Sequence, residues 1–152
     1  TGLLNRSVYE QHVKSLSPHA AGSVLIFDLD DFKQINDSHG HPWGDSCLQV
    51  IGALIKECFL QMGFCYRVGG DEFCVICRTT NEQQLEAALG LFHSRIDGIR
   101  KSRDVQNEFP TVSAGYSVFA GPEKGYAAAV KEADDQMYRF KNERKQNKLS
   151  LS

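Results

Sequence analysis

The sequence predicts an α+β fold, a central and mainly antiparallel sheet flanked by helices, from three features. Gly69-Gly70 sits between the apolar flanks Phe64, Tyr66 and Phe73, Val75, Ile76. A glycine pair in that setting is a strong hairpin signal, because both residues tolerate positive φ. Val24-Leu25-Ile26-Phe27 is a short apolar run of the kind that fills a central strand. Strand and helix patterns alternate around the hairpin, which layers helices on a sheet.

The elements follow in order. A first helix is expected over 5–16, then a loop over 17–22 and a buried strand over 23–28. A polar loop leads to a helix over 44–59, where Leu48, Ile51, Leu54 and Ile55 recur at helical spacing. The hairpin strands are 64–68 and 72–77. Thr80 or Asn81 is placed to cap a third helix reaching Lys101, with Leu85, Ala88, Leu89, Phe92 and Ile96 as its core face. A polar connection over 102–109, a strand over 111–119 and a long helix over 126–146 complete the core, and 148–151 is expected as a last short strand.

A chain of 152 residues fits one domain with a real core. The net charge of −2 gives no basic track for nucleic acid, and no apolar run approaches the ~20 residues of a membrane span. Five scattered cysteines predict reduced thiols and a cytoplasmic home. Cys74 and Cys77 have the spacing of a metal pair, but strand alternation sends them to opposite faces, so they are expected to pack rather than ligate.

Acids mark two places. Asp71 and Glu72 stand just past the glycine turn, and Asp28-Leu29-Asp30-Asp31 ends the first strand. Asp28-x-Asp30 begins like a calcium loop, but Phe32 and Lys33 stand where the next ligand and the glycine belong, which rules that loop out. Carboxylates from separate segments with open positions between them suit Mg2+, which keeps room for water and phosphate. If the segments are neighbours, Asp28 and Asp71 form the floor of a two-metal site of the kind used in phosphoryl chemistry.

The chain resembles the GGDEF domain, the catalytic module of diguanylate cyclases. The resemblance rests on Val68-Gly69-Gly70-Asp71-Glu72-Phe73 and on Asp28 through Lys33. The blocks Thr1-Gly2-Leu3-Leu4-Asn5-Arg6, Phe32 through Asp45, Val112 through Tyr116, and Ala133 through Lys141 also carry it. It implies a ferredoxin-like, palm-type core similar to nucleotidyl cyclases, and the condensation of two GTP into cyclic di-GMP across a homodimer. It implies that Asp28, the Leu29 carbonyl and Asp71 hold Mg2+, with Mn2+ as an alternative. Asp71 would also aid deprotonation of the 3′-hydroxyl, with Glu72 supporting metal or ribose binding. Backbone N–H groups over 32–36 are expected to nest the phosphates, with Phe32 in that segment and Lys33 stabilising developing charge. Gly69 and Gly70 would let the nucleotide approach the backbone. Lys141 and Lys145 take basic phosphate-contact positions. Asn36 and Asp45 take the guanine-reading positions, which implies GTP over ATP because adenine cannot pair with an acceptor carboxylate there.

Two departures stand out. The family commonly ends its last block Ala-Lys-x-x-Gly-Arg-Asn, where this chain has Phe140-Lys141-Asn142-Glu143-Arg144-Lys145-Gln146. A lysine there keeps charge but loses arginine's fork. The inhibitory Arg-x-x-Asp is replaced by Leu60-Gln61-Met62-Gly63, which implies no product inhibition through that site. The chain opens directly at the Thr-Gly-Leu motif, and the resemblance implies an upstream sensor or membrane region in a longer protein. The alternative function is a GTP-holding regulatory module that does not turn the nucleotide over.

Overall fold

The computed structural model describes residues 2–102 and 108–150. Strands β1 (Ala21–Leu29), β2 (Gly63–Arg67), β3 (Glu72–Cys77) and β4 (Val112–Ala120) form one sheet in the order β2-β3-β1-β4. Every pairing among these four strands is antiparallel. Helices α1 (Arg6–Lys14), α2 (Phe32–His39), α3 (His41–Phe59), α4 (Glu82–Ser102) and α5 (Tyr126–Ser150) flank it. The expected α+β architecture is the one observed.

Strand alternation divides the core between the two faces of β1. Leu25, Phe27 and Leu29 join Leu48, Ile51, Ile55, Phe59, Leu85, Phe92 and Ile96 under α3 and α4. Val24 joins Tyr66, Cys74, Ile76, Ala129 and Ala133 on the face covered by α1 and α5. Being buried on both faces is why β1 reads as a continuous apolar run. Cys74 and Cys77 fall in opposite layers, and all five cysteines are free thiols. Small residues set how closely α5 approaches: a Cβ on Gly115 would meet the Ala133 carbonyl oxygen at 2.0 Å.

The caps explain two helix starts. Asn5 accepts from the Val8 N–H at 3.0 Å, and Asn81, rather than Thr80, accepts from Gln83 and Gln84. Four expectations are corrected. The polar loop after β1 is mostly α2, held by buried Ile35; a single apolar turn is too short to stand out as periodic. Helix α3 starts at His41, not residue 44, because Gly40 at φ 90° breaks the chain and Pro42 starts a new helix at its first turn. No last strand forms over 148–150, which continue α5 without a glycine or proline to stop it, and Leu151 lies outside the described residues. Neither Gly69 nor Gly70 occupies the left-handed region. The connection is a longer loop over 68–71, which spreads the reversal over more residues than a two-residue turn. The polar connection expected over 102–109 falls largely outside the described residues.

Candidate active site

The strand end and the hairpin tip meet. In the antiparallel register Asp28 stands opposite Glu72 on β3 and Ser113 on β4, and opposed residues share a face. The Leu29 N–H donates to the Asp71 carbonyl at 3.2 Å, tying the hairpin tip to the end of β1. Arg67 holds the turn from within, its Nη2 donating to the Gly70 carbonyl at 2.7 Å and its Nε to the Gly69 carbonyl at 3.3 Å. The space over Gly70 is open: a Cβ there would meet nothing within 4 Å. From α1, the Arg6 Nη1 donates to the Val68 carbonyl at 2.9 Å, so the N-terminal segment also grips this turn.

Lys141 of α5 completes the cluster, its Nζ 2.7 Å from Asp28 Oδ2. Asp28 Oδ1 is buried and has no hydrogen-bond partner. Burial pushes the Asp28 carboxyl above the ordinary range, Lys141 opposes this, and nearby Asp71 raises it further. Burial works to lower the Lys141 ammonium, but its bond to Asp28, with Asp30 and Asp71 nearby, leaves it raised. A buried carboxylate oxygen without a partner is costly, and a cation beside Asp71 would satisfy it. Among the described residues no three His, Cys, Asp or Glu gather to hold a metal unaided.

A second constellation lies where α2 leaves β1. Asp31 adopts φ 54°, in the left-handed region that aspartate tolerates, and makes no side-chain cap. The first turn of α2, with exposed Lys33, therefore presents uncapped N–H groups, a natural seat for an anion. Asn36 leans against Gly44: a Cβ on Gly44 would meet Asn36 Oδ1 at 1.8 Å and Phe32 Cζ at 3.3 Å. Asn36 Oδ1 is also buried without a partner. Asp45, the next residue on α3, is exposed. The structure thus gathers Asp28, Leu29, Asp71, Glu72 and Lys141 in one place and Phe32, Asn36 and Gly44 in another, with Asp45 beside the second. Only Asp30 and Asp31 separate β1 from α2, so both lie at one end of the sheet. Lys145, one turn beyond Lys141, is exposed and makes no ion pair among the described residues.

Sequence reasoning missed Asp30 and Arg144. Asp30 accepts from Thr111 Oγ1 at 2.7 Å, Ser113 Oγ at 2.6 Å and Arg144 Nη1 at 3.1 Å. The spacing Asp28-x-Asp30 was the available signal, since alternate residues share a strand face. Their partners lie more than 80 residues away in sequence, as the separations of 81, 83 and 114 show.

A family model described as "Diguanylate cyclase, GGDEF domain" matches residues 1–147. The chain belongs to the GGDEF family. It is 31% identical over 146 residues to the cyclic di-GMP phosphodiesterase PdeR of Escherichia coli (strain K12), covering 93% of this chain and 22% of that protein. It is 35% identical over 118 residues to the probable diguanylate cyclase DgcI of the same strain, covering 74% of this chain and 26% of that one. The chain thus spans about a quarter of the length of these curated relatives. Among solved structures, the active GGEEF domain of a diguanylate cyclase from Vibrio cholerae superposes with a TM-score of 0.71 at 25% identity, covering 93% of this chain and 92% of that one. The GGDEF domain of DgcB from Caulobacter crescentus, solved with c-di-GMP, shares the fold with a TM-score of 0.77 at 24% identity, covering 93% and 87%. GGDEF membership ties the chain to cyclic di-GMP signalling, in which GTP and divalent-metal binding are typical.

Proposed function

We propose that this GGDEF chain is a diguanylate cyclase module, condensing two GTP into cyclic di-GMP with release of two pyrophosphates. The observation that carries this reading is the partly buried Asp28 carboxylate near Asp71 at the end of β1, whose Oδ1 is buried and unpartnered. Each 3′-hydroxyl attacks the α-phosphate of the other nucleotide. The new O–P bond forms as the bond to pyrophosphate breaks, and the hydroxyl proton passes to a base. One chain holds one GTP, so two copies face each other.

Asp28, the Leu29 carbonyl and Asp71 would hold the metal, Mg2+ or alternatively Mn2+, with Glu72 beside them. Bound there, it supplies Lewis-acid polarisation and lowers the pKa of a coordinated hydroxyl. Asp71 receives the 3′-hydroxyl proton. The uncapped first turn of α2 and Lys33 hold and polarise the phosphates, while Lys141 and Lys145 neutralise the triphosphate from α5. Asn36 and Asp45 read the guanine, and Gly70 leaves the backbone open to the nucleotide, while Gly69 lies against Glu72. We place the module in the cytoplasm, under control of an upstream sensor or membrane region.

The test incubates concentrated protein with GTP and Mg2+ and separates the products by chromatography, with Asp71→Ala alongside. Cyclic di-GMP from the wild type and none from the variant is the expected result. Turnover of ATP at a comparable rate would sink the guanine assignment. A second reading, a GTP-holding module without turnover, draws on the lysine at 145 and on the 31% identity to a protein named as a phosphodiesterase. GTP-dependent thermal stabilisation with no product, even in a forced dimer, is the result that favours it.

A further inference from the structure

We infer that Arg144 is a positioning residue, a clamp that fixes the end of α5 so that Lys141 and Lys145 face the triphosphate. This rests on the nucleotide reading above. The clamp is built from three directions. Arg144 Nη1 lies 3.1 Å from Asp30 Oδ2, a carboxylate whose side chain is only 12% exposed. Its guanidinium sits 4.6 Å above the Phe140 ring. Phe140 in turn stacks on His93 of α4, with ring centroids 5.7 Å apart and an interplanar angle of 27°. Asp30 is itself pinned to β4 by Thr111 and Ser113. The end of β1, β4 and α4 therefore converge on one turn of α5.

The consequence falls on the two lysines. Asp28–Lys141 and Asp30–Arg144 are two rungs of one ladder: acids two apart at the strand end, cations three apart on the helix. One residue of helix turns a side chain by about 100°, so a slip at Arg144 carries Lys141 off Asp28 and swings Lys145 with it. Helix ends fray when nothing holds them, and this one holds both phosphate cations within its last few turns. The departure from the commoner family ending is also accounted for. Phe140 and Arg144 replace residues without long side chains, and the two replacements contact each other. That pairing builds an anchor rather than eroding a site. Asp30 spends both oxygens on Thr111, Ser113 and Arg144, which makes it the anchor point and not a metal ligand.

Calorimetric titration of Mg2+–GTP into the wild type, Arg144→Gln, Arg144→Lys and Phe140→Ala tests this, with guanosine as the phosphate-free probe. Loss of an outer residue that orients a site typically weakens binding about tenfold, and that loss is expected for Mg2+–GTP in R144Q. Guanosine binding stays unchanged and R144K recovers much of the loss, a pattern general unfolding would not produce. A second readout needs no nucleotide. Burial and then Arg144 hold the His93 titration low, against Asp97 and Asp30, so R144Q raises its NMR midpoint. R144Q binding Mg2+–GTP as the wild type does, or an unmoved His93 midpoint, overturns the inference alone. A wild type that takes up no Mg2+–GTP overturns the nucleotide reading and this inference together.

Discussion

Burial decides what the thiols and the two amide and carboxylate oxygens of this chain can do. It pushes the Cys47 and Cys77 thiols up to about 11 and Cys65 and Cys74 up to about 12. A thiol reacts as its thiolate, so these four stay inert near pH 8. Iodoacetamide at that pH is expected to label only half-buried Cys58 in the folded protein, and slowly, with all five labelled in denaturant. Rapid native labelling of Cys74 or Cys77 would contradict the burial. The same physics acts with a different outcome at Asp28 and Asn36, where the buried oxygens lack partners. Thiols can pack as apolar groups, but an unpartnered oxygen is costly unless a ligand completes it. The Ser23 and Ser117 hydroxyl oxygens are also buried without partners, so what singles out Asp28 is a carboxylate in that state with Asp71 nearby.

At the scale of elements, α5 is positioned twice, by packing at one end and by charge at the other. Gly115 on β4 lets the helix backbone descend onto the sheet, since a Cβ there would lie 2.0 Å from the Ala133 carbonyl and 2.7 Å from the Met137 nitrogen. Gly115→Ala must lift the helix, at a cost of about 2 kcal/mol or more. Thermal unfolding should show Tm lower by roughly 5 °C for a chain of this size. A melting curve superposing on the wild type would mean that α5 yields freely. Lifting α5 also moves Lys141 away from Asp28, so this variant is expected to bind Mg2+–GTP more weakly as well. The hairpin is positioned just as locally: Arg67 grips the turn from inside and Arg6 from α1.

For the whole molecule, the proposed chemistry needs two copies, because each nucleotide supplies the hydroxyl that attacks the other. The specific rate of cyclic di-GMP formation is therefore expected to rise with protein concentration until dimers saturate. Rates measured over a wide concentration range check this, and a constant specific rate would count against a shared site. The N-terminal segment is tied directly to the hairpin strand β2. Leu4 pairs beside Tyr66, its N–H donating to the Cys65 carbonyl at 3.0 Å while Arg67 N–H donates back to Leu4 at 2.8 Å.

Much of this molecule was legible in its residues alone. The apolar run of β1, the glycine hairpin and the helical spacing of Leu48, Ile51 and Ile55 determined the α+β class, because burial on a strand or helix imposes its own period. The motif at 68–73 marked the family for the same local reason: a turn and its acids are contiguous in sequence. Helix α2 was hidden because its one buried residue, Ile35, cannot declare a period. The anchoring of Asp30 by Thr111, Ser113 and Arg144 was hidden because nothing local links residues so far apart. Only the tertiary structure decided which oxygens are left unpartnered, that Lys141 faces Asp28, and that Arg144 closes on Phe140 and Asp30. Those outcomes depend on strand register and helix rotation, which the packing of the whole core sets.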